Sequence, residues 1–369
     1  MRLLAIAAAA ALLPAPVYAR RSAPAPPPPA GTYVIHAIDV GTGLSIFVEG
    51  HDFTLLYDAG SKEENGGPNN RVVAYLKSVR PGLRRIDHLI LSHPHEDHSE
   101  LMPDVLTNYW VRDVWDSGSL NNICSYRDFL KKVVAETGTT YHDALGGPGT
   151  HLAAFPPKGG CAGRALPRET ISVPRGSQIA IGAPVQLGSD ARMTVLHADG
   201  NRTSDFNEAS VVVRLDLGSR RILLPGDAEG GDREHSNDPP TRHTVEADLL
   251  RDPASLAADI LVVGHHGSKT SSRREFLDAV GARYFVISSG PYPYGPHRDV
   301  VLPDPEIEAR LRERPGTISI WRTFETDEAC VRRPAKVGLD DNKPGGCDNV
   351  RIVIGPSGTI TSDYNRIAD

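Results

Sequence analysis

The feature that most constrains this chain is the segment HPHEDH at residues 93–98, which follows an apolar run at residues 86–91. A run of this kind is typical of a buried strand, and Ser92 and Pro94 indicate that the chain leaves the strand there. The segment therefore places imidazoles and carboxylates together at a strand end. Buried groups of these types need partners, and a divalent metal suits all of them at once. The alternative is a solvated loop that happens to be rich in histidine.

The spacing within this segment separates the candidate ligands into two sets. His93 and His95 are two residues apart, so in an extended segment their side chains point the same way. Asp97 and His98 follow at a predicted helix start and face a second point nearby. This geometry suits a pair of adjacent metals, which at a separation of about 3.5–4 Å can activate water and hold a phosphoryl or carbonyl oxygen.

Two later predicted strands are also followed by potential metal ligands. Asp227 follows a predicted strand at residues 221–224 and a Pro-Gly pair. The two oxygens of its carboxylate suit a bridge between two cations, although Gly-Asp pairs are also common in turns. His265 and His266 follow an apolar run at residues 260–263. We assign His265 to the second metal and His266 to substrate contact or catalysis, and the spacing also allows the reverse.

The residues after His266 offer hydroxyl groups, backbone N–H groups and the ammonium group of Lys269, ahead of a helix predicted over residues 273–280. A helix N-terminus with such donors can bind an anion. The alternative is an ordinary serine-rich N-cap. We expect Lys269, Ser268 and His297 to stabilise negative charge that develops on a substrate.

The HxHxDH pattern of residues 93–98 resembles the metallo-β-lactamase superfamily. This resemblance implies an α/β fold, the αββα metallo-β-lactamase sandwich, with a two-metal hydrolase site at its edge. It also implies that Asp227 bridges both metals and that Asp58 supports the metal loop. The segments at 265–272 (HHGSKTSS) and 207–213 (NEASVVV) look like the soluble domain of the competence protein ComEC and its relatives. That resemblance implies phosphodiester hydrolysis, with DNA as the proposed substrate.

The predicted ligands of the first metal are His93 and His95, and those of the second are Asp97, His98 and His265, with Asp227 as the bridge. Asp97 is also a predicted catalytic residue. Imidazole and carboxylate ligands favour Zn²⁺ at both sites, with Mn²⁺ as the alternative.

The chain departs from the family pattern in two places. His297 is displaced by one residue, because residues 294–297 read Tyr-Gly-Pro-His where the family often shows Tyr-Gly-His-Pro. The usual third histidine of the first metal site is not identifiable. Its candidates are His142, His151 and His197, of which His197 could equally be a packed, hydrogen-bonded residue.

Residues 1–19 have the features of a secretory signal peptide, with Arg2, an apolar core at residues 3–13 and a small-residue cleavage site. A Pro- and Ala-rich leader at residues 20–31 precedes a single predicted domain at residues 32–369. The apolar core of the signal is too short to span a bilayer comfortably, and no later segment is long and apolar enough to do so. We therefore expect a secreted or periplasmic protein.

The four cysteines of the chain suggest two disulfides in an exported protein, and three pairings can be drawn. We favour Cys124–Cys161 and Cys330–Cys347, because each pair brackets a loop-like insertion. Four reduced, buried thiols are the alternative. The formal charge of −6 argues against a broad basic surface for duplex nucleic acid but not against a local basic groove.

Two further segments are described by their composition. Residues 146–175 are dense in Gly and Pro and are predicted to form a long, loop-like insertion. Residues 351–354 and 359–362 predict a terminal hairpin through a Pro-Ser-Gly turn.

The leading functional interpretation is a metal-dependent hydrolase that acts on phosphodiesters. The second is a hydrolase of lactones, β-lactams or thioesters on the same scaffold. The third is a non-enzymatic binding module, such as a nucleic-acid receptor. The hydrogen-bond donors of residues 265–272 favour a phosphate-containing substrate, and therefore the first interpretation over the second. The intact metal-binding motifs argue against the third interpretation.

Overall fold

The computed structural model describes residues 26–63, 67, 70–146, 149–161, 164–290, 292–295, 299–325 and 348–364. Within these residues two large β-sheets face one another, and helices cover the outer face of each sheet. The predicted αββα sandwich is confirmed.

The first sheet contains ten strands. Its strands are β1 (Tyr33–Ala37), β2 (Ile46–Glu49), β3 (Thr54–Tyr57), β4 (Arg85–Leu91), β5 (Trp110–Asp116), β6 (Thr140–Asp143), β7 (Thr150–Phe155), β10 (Glu169–Gln178), β18 (Val350–Ile354) and β19 (Ile360–Tyr364). Their spatial order is β19-β18-β1-β2-β3-β4-β5-β6-β10-β7. Strands β3 to β6 run parallel, so their carboxyl ends meet at one edge of the sheet.

The second sheet contains seven strands. They are β11 (Pro184–Gly188), β12 (Ala191–His197), β13 (Val212–Leu217), β14 (Arg220–Leu224), β15 (Ile260–Val262), β16 (Tyr284–Ile287) and β17 (Ser319–Arg322), and they lie in chain order across the sheet. Strands β14 to β17 run parallel. This sheet therefore also presents a row of carboxyl ends at one edge.

Three apolar layers hold the sheets and helices together. The helices are α1 (Arg71–Val79), α2 (Glu96–Ser99), α3 (Met102–Asn108), α4 (Cys124–Ala135), α5 (Val245–Leu249), α6 (Arg274–Val280) and α7 (Pro305–Glu313). Helices α1, α3 and α4 cover the first sheet, and α5, α6 and α7 cover the second. Buried side chains such as Ile46, Leu55 and Val213 fill the space between the sheets. None of the helices in the described part of the chain has the length and apolar character that crossing a bilayer requires.

The burial of strand β4 explains why its apolar run was easy to recognise in the sequence. Apart from Arg85, every residue of β4 is buried, because helices lie on one side and the second sheet on the other. Asp87 is one of its two polar interior residues, and it accepts hydrogen bonds from the backbone N–H and the hydroxyl of Thr54 at 2.9 and 3.1 Å. His88 Nδ1 accepts from Trp115 Nε1 at 3.3 Å. Both polar groups are therefore paired inside the sheet.

The prediction of a long, loop-like insertion at residues 146–175 was wrong. The segment contains β7, the hairpin strands β8 (Lys158–Cys161) and β9 (Arg164–Leu166), and the first part of β10. Along β7 exposed and buried residues alternate strictly, with His151, Ala153 and Phe155 buried. That alternation is the pattern of a half-buried strand, but flanking Gly and Pro residues obscured it. The terminal hairpin was predicted correctly, as β18 and β19.

A disulfide ties this insertion to the first sheet's helical layer. Cys124, the first residue of α4, is bonded to Cys161 at the end of β8. Arg127, one turn further along α4, donates to the carbonyl oxygen of Pro167 at 3.0 Å. The predicted Cys124–Cys161 pairing is confirmed, whereas Cys330–Cys347 lies outside the described residues.

We expect the double variant Cys124→Ala/Cys161→Ala to lose stability, because the bond closes a loop with a sequence separation of 37. Loop-closure entropy predicts a decrease of about 4 kcal/mol in the free energy of unfolding, measurable by denaturant titration. Val134→Ala on the exposed side of the same helix is the control, with an expected change within about 0.5 kcal/mol. A decrease below about 1 kcal/mol for the double variant would contradict the prediction.

Candidate metal centre

Three loops meet at the edge where the parallel strands of both sheets end. Residues 92–95 follow β4, residues 225–227 follow β14, and residues 263–266 follow β15. Because carboxyl ends of neighbouring parallel strands lie at one edge, residues far apart in the sequence come together there. All three segments that the sequence singled out therefore contribute to one cleft.

The first cluster consists of His93, His95 and Asp227, whose potential ligand atoms all lie within 4.8 Å of one another. His93 Nε2 is 2.9 Å from His95 Nδ1 and 3.7 Å from Asp227 Oδ2. His93 is fully buried, whereas His95 is partly exposed. The His95 ring also meets Phe206 edge-on, with 5.8 Å between the ring centroids. The first cluster therefore opens to solvent on the side of His95.

The second cluster consists of Asp97, His98 and His266, whose potential ligand atoms also lie within 4.8 Å of one another. His266 Nε2 lies 3.2 Å from His98 Nε2 and 3.8 Å from Asp97 Oδ2. All three residues are buried. Imidazole nitrogens and a carboxylate oxygen that face one another form a donor set suited to Zn²⁺ or Mn²⁺.

The carboxylate of Asp227 lies between the two clusters. Its Oδ2 is 3.7 Å from His93 Nε2 and 3.2 Å from His98 Nε2, and its Oδ1 is 3.7 Å from His266 Nε2. Oδ1 is buried and has no hydrogen-bond partner among the described residues. Such an oxygen costs free energy, which a bound cation would offset. The residues therefore fit a pair of divalent ions that share Asp227.

Hydrogen bonds behind the clusters fix two imidazoles. His98 Nδ1 donates to Asp58 Oδ2 at 2.8 Å, and the same carboxylate accepts from the Ser92 backbone N–H at 2.7 Å. His266 Nδ1 donates to the carbonyl oxygen of Ser288 at 2.9 Å. Since Nδ1 carries the proton in the His266 ring, its Nε2 keeps a lone pair for a metal. The bond to Asp58 orients the His98 ring so that its Nε2 faces Asp227 and His266. Through its contacts with His98 and Ser92, Asp58 thus lies in position to support the metal loop.

A glycine permits the close approach of the loop after β3 to α2. A Cβ atom at Gly60 would lie 2.1 Å from the carbonyl carbon of Asp97, so no larger residue fits without moving the backbone. The neighbouring Ala59 N–H donates to the His98 carbonyl oxygen at 3.0 Å. This contact fixes α2, and with it Asp97 and His98, at the edge of the sheet.

The surroundings give three of the histidines and Asp227 the protonation states that metal binding requires. The exception is His98, where burial lowers the pKa but the carboxylates of Asp227 and Asp58 outweigh it and hold that pKa well above its usual range, so a metal would displace a proton from this ring. Burial lowers the pKa of His93, His95 and His266, which leaves their imidazoles neutral at pH 7. Burial alone would raise the pKa of Asp227, but the nearby histidines, His98 first, outweigh it and hold that pKa well below its usual range. Neutral imidazoles and ionised carboxylates are the forms that bind divalent metals.

The adjacent residues His265 and His266 face different surroundings. Both have left-handed backbone conformations, with φ of 49° and 53°, which are costly for residues other than glycine. His266 joins the second cluster, whereas His265 Nδ1 lies 2.9 Å from Glu229 Oε1 and its Nε2 3.8 Å from Asp227 Oδ2. The His265 side chain is 19% exposed, against 1% for His266. The geometry favours His266 as the ligand, the reverse of our assignment from the sequence.

The expected anion site at the start of α6 is filled by the protein itself. The buried carboxylate of Glu246 accepts from the backbone N–H groups of Ser272 and Arg273. The Lys269 ammonium group lies 3.5 Å from Glu306 on α7, and Ser268 Oγ accepts from Arg233 at 3.1 Å. The structure therefore pairs the predicted phosphate-binding groups Lys269 and Ser268 with protein side chains.

The candidates for a third histidine lie in other surroundings. His142 stacks on Trp115, with 4.1 Å between the ring centroids, and His151 Nδ1 is 3.5 Å from Asp143. His197 Nδ1 donates to the Ser210 carbonyl oxygen at 2.9 Å. Within the described part of the chain, none of the three belongs to either cluster. His297 lies outside the described residues.

Two residues near the clusters were not singled out from the sequence. The Tyr294 hydroxyl donates to Asp97 Oδ2 at 2.9 Å, and its ring stacks on His266 at a centroid distance of 6.1 Å. Lys62 Nζ is 4.0 Å from Asp97 Oδ1 and 3.1 Å from Glu96. The resemblance between residues 294–297 and the family motif was the available signal for Tyr294, but it directed attention to the histidine instead.

The sequence model of the metallo-β-lactamase superfamily matches residues 38–290, which include all residues of both clusters. The chain belongs to the metallo-β-lactamase superfamily. Membership in this superfamily implies divalent metal binding, in agreement with the donor set of the two clusters. The similarity of this chain to competence proteins of the ComEC type is also confirmed.

Recombination protein 2 of Haemophilus influenzae is 26% identical over 260 residues, covering 70% of this chain and 24% of its own length. ComE operon protein 3 of Bacillus subtilis is 23% identical over 323 residues, covering 80% of this chain and 35% of its own length. The chain thus spans about a quarter to a third of the curated relatives it matches. Among solved structures, the metallo-β-lactamase fold protein YhfI of Bacillus subtilis is 13% identical with a TM-score of 0.42, covering 80% of this chain and 97% of its own.

Proposed function

We propose that this chain is an exported, metal-dependent hydrolase of phosphodiesters. The observation that carries the proposal is the position of Asp227, whose Oδ2 is 3.7 Å from His93 Nε2 and whose Oδ1 is 3.7 Å from His266 Nε2. A carboxylate shared between two clusters suits two adjacent metal ions. Two metal ions in this arrangement stabilise both the attacking and the leaving oxygen of an in-line displacement.

The residues of the chain have distinct roles in this proposal. The residues that would hold and orient the metal pair, through the contacts described above, are His93, His95, Asp97, His98 and His266. Divalent ions bound there supply Lewis acidity, which lowers the pKa of water and polarises the ester.

His265 faces the open side of the cleft in the same proposal. Its Nδ1 hydrogen bond to Glu229 orients the ring, so that Nε2 is available to a substrate oxygen beside Asp227. In its protonated form, a ring oriented in this way can donate a hydrogen bond from Nε2 to negative charge that develops on the substrate.

Two findings bear on the substrate. The relatives are named for recombination, for the ComE operon and for competence, and since recombination is a process of DNA, these names support a phosphodiester of DNA as the proposed substrate of this chain. The formal charge of −6 argues against a broad surface for duplex DNA. We therefore propose short or single-stranded phosphodiesters rather than long duplexes as substrates.

Export is part of the proposal. The Cys124–Cys161 disulfide supports it, because such bonds persist in oxidising compartments outside the bacterial cytoplasm. The features of residues 1–19 point the same way.

The proposal is tested by assaying the Zn²⁺- and Mn²⁺-loaded protein on several substrates side by side. We expect hydrolysis of bis-p-nitrophenyl phosphate and of a single-stranded oligonucleotide, and little or no hydrolysis of nitrocefin or a lactone. Turnover of nitrocefin or the lactone alone would favour the second kind of hydrolase. Metal binding without turnover of any ester would favour a binding module.

A further inference from the structure

The side chain of Tyr294 contacts two members of the second cluster that come from different halves of the sandwich. Asp97 lies on α2, next to the first sheet, whereas His266 follows β15 of the second sheet. The Tyr294 hydroxyl donates to Asp97 Oδ2 at 2.9 Å. Its ring lies nearly parallel to the His266 ring, with an interplanar angle of 18°. One side chain therefore sets the relative position of a carboxylate and an imidazole.

We propose that Tyr294 is a positioning residue that orients Asp97 as a ligand of the second metal. Asp97 Oδ2 is the oxygen that faces the cluster, at 3.8 Å from His266 Nε2. A carboxylate oxygen can accept more than one bond, so the Tyr294 hydroxyl on one side leaves the other side of Oδ2 for a cation. On the opposite side Lys62 Nζ lies 4.0 Å from Oδ1. The Tyr294 hydroxyl thus holds Oδ2 by a hydrogen bond, while Lys62 places a positive charge near Oδ1.

The backbone around Tyr294 is itself anchored. The Tyr294 N–H donates to the Val300 carbonyl oxygen at 2.7 Å, and the Val300 N–H donates back at 3.2 Å. The Tyr292 N–H donates to Thr42 Oγ1 at 2.9 Å. A tyrosine on a loop held at these points can keep a ligand in one orientation, and loss of such a supporting hydrogen bond typically weakens metal affinity about 10- to 100-fold.

The test is a comparison of the affinities of the two zinc sites in Tyr294→Phe and in the unaltered protein, by calorimetry with a competing chelator. The phenylalanine ring keeps the stacking on His266 and removes only the hydroxyl. We expect the affinity of one site to fall about 10- to 100-fold and that of the other to stay within about twofold. Tyr284→Phe, the same change on β16 where Tyr284 stacks on Trp321, is the control and should leave both affinities unchanged.

This inference rests on the proposed metal centre but not on the proposed substrate. Unchanged affinities in Tyr294→Phe would overturn it while leaving the proposed function intact. An equal fall at both sites, together with a lower melting temperature of the metal-free protein, would show a structural role and would also overturn it. Failure of the unaltered protein to bind Zn²⁺ would overturn both the inference and the proposed function.

Discussion

Replacement of Asp227 by alanine is expected to lower kcat/KM for phosphodiester hydrolysis by at least about 1000-fold. The carboxylate faces His93 and His98 with one oxygen and His266 with the other, so its loss weakens both metal sites at once. Metal ions contribute several kcal/mol to transition-state stabilisation, and about 4 kcal/mol corresponds to a factor of about 1000. Assays with bis-p-nitrophenyl phosphate at saturating Zn²⁺ measure the effect.

Two further variants make this expectation specific. Asp227→Asn keeps the shape of the side chain and loses its charge, so comparable inactivation with an unchanged circular dichroism spectrum separates lost chemistry from unfolding. Asp232→Ala, in the same loop with its side chain 62% exposed, is the matched control and should retain activity within about twofold. Full activity in Asp227→Ala would refute the shared role of this carboxylate.

The location of the site could be predicted from sequence because three apolar strands each end in polar residues of the same chemistry. Within the second sheet, the parallel strands β14 and β15 bring their carboxyl ends, and with them Asp227 and His266, to one edge. The end of β4, which carries His95, belongs to the first sheet, and its meeting with that edge was expected only from the family resemblance. A supporting role of Asp58 at the metal loop was likewise expected from the family resemblance, but its contact with His98 was not. The strand ends themselves depend on local pattern, which sequence reveals.

The choice between His265 and His266 could not be made from sequence. Adjacent residues in regular extended backbone point to opposite sides, but here both have positive φ, and this turn decides which ring joins the second cluster. A conformation that costs free energy locally is held by surrounding contacts, including the bond from His266 to Ser288. Such contacts join residues that are distant in sequence and leave no periodic signal.

The side chain that occupies the expected anion site could not be predicted from the sequence for a related reason. Glu246 belongs to α5, a helix of five residues that was not predicted, and it meets the start of α6 only in the folded chain. Tyr294 likewise reaches Asp97 from a loop beyond β16. In both cases the residue type was visible in the sequence, but its partner depended on tertiary packing.

Removal of His266 is expected to lower the zinc content by about one ion per chain, from about two in the unaltered protein, while removal of His265 leaves the content unchanged. His266 Nε2 lies 3.2 Å from His98 Nε2, inside the second cluster, whereas His265 bonds to Glu229. Chelation should abolish phosphodiester turnover in all of these proteins. Dialysis against Zn²⁺, followed by metal analysis and activity assays, measures both quantities.

The two alanine variants also separate metal binding from substrate contact. His266→Ala should lose at least about 100-fold in turnover, because an absent ion removes about 3 kcal/mol of stabilisation. His265→Ala should keep its zinc and lose turnover through the missing hydrogen bond to substrate, by about 10- to 1000-fold. If His265→Ala instead lost the ion and His266→Ala kept it, the original assignment from the sequence would be correct. The metal content therefore decides between the two histidines independently of which substrate the enzyme hydrolyses.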